Sequence, residues 1–111
     1  MTINELIKQL PLTIISEGDL SREISKVFCC DLLSVAMGKA PADCAWVTVM
    51  GNVNTLAVAS LTDAACVTLA EGTVLDEVVV EQAKTQGITV LATTEPVFDM
   101  ALQIHQKLTA E

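Results

Sequence analysis

The chain predicts an α/β domain: a central, mostly parallel five-stranded sheet with helices on both faces. Three observations carry this. Strand-like and helix-like segments alternate from Trp46 to Leu108. The runs Trp46–Met50 and Ile88–Ala92 are apolar throughout rather than alternating, as strands covered on both faces are. A length of 111 residues suits one domain with its own core, so 1–111 reads as a single domain. Strand–turn–helix units of this size imply parallel pairing through right-handed crossovers.

The elements follow in order. Thr2-Ile3-Asn4-Glu5 is a capping box, and Ile3, Leu6, Ile7 and Leu10 follow at helical spacing until Pro11. Leu12–Ile15 reads as a short strand, Glu17-Gly18-Asp19 as a turn and Ile24–Cys30 as the second strand. Asp31 is placed to cap a short helix that Gly38 stops. Trp46–Met50 is the third strand. Gly51-Asn52 turns into a helix with Val53, Leu56, Ala57 and Leu61 on one face. Cys66–Leu69 is the fourth strand. Glu71-Gly72-Thr73 turns into a helix with Leu75, Val78, Val79 and Ala83 inward, stopped at Gly87. Ile88–Ala92 is the fifth strand. Thr94-Glu95-Pro96 opens the last helix, with Val97, Ala101, Ile104 and Leu108 as its stripe.

The composition narrows the function. Of all residues 51% are hydrophobic and 18% charged, with a mean hydropathy of +0.52. So little charge implies that some apolar surface is covered by a partner, and a homodimer is the simplest cover. The net charge is −8, from 6 basic and 14 acidic residues, and the bases are scattered. Nucleic acid and anionic membranes both favour clustered lysine and arginine, so neither is expected as a partner. No segment has the ~18 continuous apolar residues of a membrane span. Residues 1–10 lack a signal-peptide core, and the reading is a cytoplasmic protein. The four cysteines have no C-x-x-C spacing and there is one histidine, so neither a metal site nor a disulfide is expected. The thiols read as small core residues.

Three blocks of sequence carry a family likeness. The first runs from Leu20-Ser21-Arg22-Glu23 through Asp31-Leu32-Leu33-Ser34 to Met37 and Gly38. The second is Trp46-Val47-Thr48-Val49, Asn54 and Ala57-Val58-Ala59; the third is Ile88-Thr89-Val90-Leu91, Thr93, Thr94 and Phe98. Together they resemble the DRTGG domain family, whose fold is similar to the N-terminal domain of HPr kinase/phosphorylase. The resemblance implies an accessory, often dimerising module that serves a metabolic enzyme rather than catalysing a reaction. The chain departs from the family pattern where paired glycines are common and it has Ala70-Glu71-Gly72. It also lacks the G-x-x-x-x-G-K-[ST] loop that phosphoryl transfer from ATP uses.

Ligands of parallel α/β sheets sit beyond the carboxyl ends of the strands. Here that rim gathers Asp31, Ser34, Asn52, Asn54, Gly72, Thr73, Thr93 and Thr94 as candidate ligand-binding residues. Free N–H groups at helix N-termini around Asn52, Asn54, Thr73 and Thr94 would favour a small anionic effector, with Asp31 and Glu71 opposing it. No catalytic residues are assigned and no cofactor is expected. His105 lies at the border of an apolar stripe with no partner in sight, and Trp46 reads as a core or interface residue. The expected function is a regulatory or assembly module that homodimerises and binds a small anionic effector or a partner enzyme. The alternative is a small enzyme, or a detached enzyme subunit, acting on a phosphorylated substrate.

Overall fold

A computed structural model describes residues 1–110. Along the chain run α1 (Ile3–Gln9), β1 (Thr13–Ser16), β2 (Val27–Cys29), α2 (Leu33–Lys39) and β3 (Ala45–Thr48). Then follow α3 (Val53–Thr62), β4 (Cys66–Leu69), α4 (Glu77–Gln86), β5 (Val90–Ala92) and α5 (Val97–Thr109). The strands form one five-stranded sheet in the order β1-β5-β4-β3-β2. The pairs β2–β3, β3–β4 and β4–β5 are parallel, and β1 joins β5 antiparallel at the edge. The sheet is thus mostly parallel, as the alternation of elements predicts.

Period-two alternation divides the central strands between two cores. Ala45, Val47, Cys66 and Leu91 face α1 and α5, where Ile3, Leu6, Met100 and Ile104 are fully buried. Trp46, Val67, Leu69 and Val90 face the layer of α2, α3 and α4. Every residue of β3 and β4 is buried, which explains their unbroken apolar sequence. Trp46 is a core residue: it is 0% exposed, and its Nε1–H donates to the Cys30 carbonyl at 3.0 Å.

Several local signals are read correctly. Glu5 N–H donates to Thr2 Oγ1 at 3.1 Å while Glu5 Oε1 accepts from Thr2 N at 3.1 Å, completing the capping box. Asn52 caps α3 by accepting from Thr55 N, and Gly87 ends α4 at φ +68°. Others differ. β2 is shorter than Ile24–Cys30, because Ile24 N bonds Met1 O and Ser25 N bonds Asp43 O instead of a neighbouring strand. Gly38 lies inside α2, which ends at Ala40 just before Pro41. Leu32, not Asp31, occupies the N-cap of α2, with no side-chain cap. α4 begins only at Glu77, so Thr73 lies in an irregular stretch ahead of it. On α3 the buried residues are Thr55, Leu56, Val58 and Ala59, while Val53 and Leu61 are exposed; Val78 on α4 is exposed as well.

Candidate functional site

The carboxyl ends of β2 to β5 form the predicted rim, but the eight candidate residues do not meet in one place. Gly72, Thr73, Thr93 and Thr94 converge on a hollow of about 350 Å3 that Pro11, Thr13, Ile15 and Ala92 complete. A second hollow, of about 240 Å3, shares Ile15 and Thr73 with it and is otherwise lined by Leu69, Val74, Leu75 and Val80. The two make a groove, hydroxyl-lined at one end and aliphatic at the other. A bulge builds it. Thr13 and Ile14 pair with Ala92 and Leu91, but Ser16 pairs with Val90, so Ile15 is the extra residue of β1. Ile15 then lines both hollows. Sequence reasoning missed Ile15 and Leu75. A bulge in an edge strand leaves no local signature in four residues of β-branched and hydroxylated sequence.

The loop after β4 carries the other wall. Glu71 and Gly72 both take positive φ, +63° and +70°. Their N–H groups are spent inside the protein: Glu71 N on Glu95 O at 2.9 Å and Gly72 N on Thr93 O at 3.0 Å. Thr73 N–H donates to Ala70 O, and so does the Thr73 hydroxyl, at 2.8 Å. The Glu71 carboxylate accepts from Val97 N at 3.1 Å and so occupies the N-terminus of α5. The N–H groups of Glu71, Gly72, Thr73, Glu95 and Val97 are therefore already paired, and no basic side chain lines the groove. Thr93 is buried and accepts from Glu95 N, which orders the β5–α5 loop, whereas Thr94 is exposed.

The remaining candidates lie elsewhere on the rim. Asp31 Oδ1 accepts from the buried Thr48 hydroxyl at 2.6 Å and from Val49 N at 3.0 Å, so this carboxylate clips the end of β2 to that of β3. Asn52 serves as the cap of α3, and Ser34 and Asn54 are exposed in the first turns of α2 and α3. A Cβ on Gly51 would stand 2.5 Å from a methyl of Leu75, so the α3 entrance presses on the groove wall. His105 is exposed on α5. The four cysteines are free. Burial pushes the Cys66 thiol up to about 12 and the Cys44 thiol up to about 11, which keeps both protonated and unreactive. At the opposite end of the sheet, Arg22 holds Asp43 at 2.8 Å and Asp63 at 2.9 Å, and both acids sit at positive φ. That cluster locks two turns together.

Among the described residues no helix is long and apolar enough to cross a membrane, and no group of side chains is arranged to hold a metal ion. No family model matches the chain, and no curated protein matches it in sequence. Its fold does match a solved structure, the CBS and DRTGG domains of the regulatory region of Clostridium perfringens pyrophosphatase, complexed with the activator diadenosine tetraphosphate. The superposition has a TM-score of 0.73 at 13% sequence identity. It covers 93% of this chain and 45% of that one, so the chain spans less than half the length of its structural neighbour. At such identity the likeness establishes the fold, and the chain has the α/β architecture of that regulatory region.

Proposed function

We propose that this chain is a regulatory or assembly module of the DRTGG type. It homodimerises, serves a metabolic enzyme as its partner and acts by binding rather than by catalysis. The observation that carries this reading is the superposition of nearly the whole chain on a regulatory region, across three motif blocks that resemble the same family. The surface supports it: Leu32, Met37, Leu61, Val74, Val78 and Phe98 are each more than half exposed, a large apolar load for a chain of 111 residues.

The effector site of this reading is the rim groove, with Gly72, Thr73, Thr93 and Thr94 in its wall. Its larger hollow, of about 350 Å3, falls in the range of small-molecule pockets, about 300–1,000 Å3. Its chemistry is hydroxyl and aliphatic, with the Glu71 carboxylate beside it. A phosphate there would meet hydroxyls and a neighbouring negative charge, without a cation. Thermal-shift screening tests the site when each nucleotide and acyl phosphate is paired with its dephosphorylated counterpart. A ligand at one hundred times its dissociation constant adds about 2.7 kcal/mol. The expected result is stabilisation by a compound whose dephosphorylated form does at least as well. No shift with any member of the panel would remove the effector from the reading. Sedimentation as a monomer at tens of micromolar would remove the dimer.

A further inference from the structure

We infer that the rim groove takes an uncharged primary carboxamide with a compact aliphatic tail. The amide edge pairs with Thr73 and Thr93, and the tail enters the aliphatic hollow. The inference rests on the effector reading of the groove and names the head group that the groove selects.

The hydrogen bonds of the two threonines supply the first argument. Thr93 lines the larger hollow and is only 6% exposed. Its backbone is satisfied: its N–H donates to Leu69 O at 2.9 Å, and its carbonyl accepts from Gly72 N at 3.0 Å. Its hydroxyl oxygen accepts from Glu95 N at 3.1 Å, and the hydroxyl proton has no acceptor among the described residues. A buried donor without an acceptor is costly, so this proton calls for one. Thr73 is the reverse case. Its hydroxyl proton is spent on Ala70 O at 2.8 Å, which leaves the oxygen able to accept. Thr73 follows Gly72, whose N–H binds the Thr93 carbonyl, so the two threonines sit on adjoining backbone segments of one hollow. The wall thus offers a donor beside an acceptor. A primary carboxamide has the matching edge: its C=O accepts from Thr93 and its NH2 donates to Thr73. The hydroxyls of Thr13 and Thr94 line the same hollow, but both residues are exposed, and water satisfies them in either sense.

Charge selects a neutral head. No residue lining either hollow is ionisable. The nearby Glu71 carboxylate is held by Val97 N and adds negative charge at the edge. A carboxylate head would set an acceptor against the Thr73 oxygen and bring a second negative charge without a cation. An ammonium head would leave the Thr93 proton without an acceptor. Either charge would lose water for no ionic partner. The carboxamide avoids both costs.

The second hollow receives the tail. Beyond Thr73 its walls are Ile15, Leu69, Leu75 and Val80 with the exposed Val74, all aliphatic. Ile15 and Thr73 belong to both hollows, so a tail attached to an amide at Thr73 passes along Ile15 and leaves water there.

Titration of the isotope-labelled chain, followed by NMR, tests this with four probes of nearly one shape: isovaleramide, isovalerate, isopentylamine and 4-methylpentan-2-one. The ketone has a methyl where the amide has NH2. Isovaleramide should shift the resonances of Ile15, Thr73, Leu75 and Thr93 saturably. Its Kd should be at least tenfold lower than those of the acid and the amine, and at least threefold lower than that of the ketone. T73V leaves the backbone bond from Thr73 N to Ala70 O in place. It should weaken the amide at least threefold and erase its advantage over the ketone. T93V should weaken the amide as well, and T93S, which keeps the hydroxyl, should not. The comparison of the four probes needs no variant and stands if T93V fails to fold. An acid or amine that binds as tightly as the amide, or a ketone that matches it, overturns the inference and leaves the groove as a site. If no probe shifts the groove while a phosphorylated compound stabilises the chain, the carboxamide is wrong and the effector reading survives it. If neither happens, both fall.

Discussion

Replacing Asp31 with alanine tests whether this residue is a structural clip or a ligand group. In the folded chain its Oδ1 accepts from Thr48 Oγ1 at 2.6 Å and from Val49 N at 3.0 Å. Thr48 is fully buried, so losing its acceptor leaves a buried hydroxyl with an unused donor; the oxygen still accepts from Met50 N at 3.2 Å. A hydrogen bond to a charged group contributes about 1.5–3 kcal/mol where it is buried, and the exposed Val49 bond is worth less. The sum is about 2–3 kcal/mol. A chain of this length loses about 4 °C of Tm per kcal/mol, so D31A should melt about 8–12 °C lower. D31N keeps an acceptor oxygen in the same place and should cost less than about 1 kcal/mol. T48V removes the buried hydroxyl that D31A strands. The double variant D31A/T48V should therefore be more stable than the summed single effects by at least about 1 kcal/mol. Denaturant melts at one fixed protein concentration measure all four chains. Additive single effects, or a D31A cost under about 0.5 kcal/mol, would refute the clip and return Asp31 to the ligand candidates.

Two further outcomes follow from the core. The Cys66 thiol titrates at about 12 in the folded chain against an ordinary value near 9, because burial opposes the thiolate. Between those values the unfolded chain releases a proton that the folded chain keeps, so stability falls as pH rises from 9 towards 12. Unfolding titrations should show this loss, with a slope of up to about 1.4 kcal/mol per pH unit from this thiol, and C66A should lack that share of it. Two glycines should separate by what their new Cβ meets. A Cβ on Gly18 would stand 2.3 Å from the Gly87 carbonyl, a backbone atom that cannot turn aside, whereas Gly51 faces the mobile end of Leu75. G18A should therefore cost about 2–3 kcal/mol and G51A less than about 1 in the same melts, and equal costs would contradict this account of the contacts.

The fold was legible where local chemistry and tertiary structure agree. The capping box at Thr2 and Glu5, the Asn52 cap and the positive-φ Gly87 each depend on residues within a few positions of one another. The exposed side of α3 shows where this stops. Hydrophobic periodicity chooses an arc only when the opposite arc is polar. α3 carries apolar residues on both arcs, so the sequence offers Val53, Ala57 and Leu61 as readily as Leu56, Val58 and Ala59. Only the sheet beneath decides between them. Edge strands show the opposite difficulty. β1 and β2 carry few ladder bonds, so a bulge at Ile15 and the competing bonds of Ile24 and Ser25 reset their limits.

The rim was half legible, for a reason that lies in register. From the sequence, Asp31 and Glu71 are acids beside helix N-termini, placed to oppose an anion that those termini attract. In the structure both carboxylates bind rim N–H groups. Parallel pairing of Cys29 with Val47 carries the chain past the strand end so that Asp31 meets Thr48 and Val49. Pairing of Leu69 with Ala92 likewise lets Glu71 reach across to Val97 at the start of α5. The partner of each acid lies 17 or 26 residues away, beyond the reach of any local pattern. An anion at these two points would have to displace a carboxylate that the protein already supplies at no translational cost. In the proposed reading, the part of the rim left for a ligand is the groove between the bulged β1 and the loop after β4. There the backbone N–H groups of Glu71, Gly72 and Thr73 are satisfied within the protein, and what the walls leave to offer a ligand are threonine hydroxyls and aliphatic side chains.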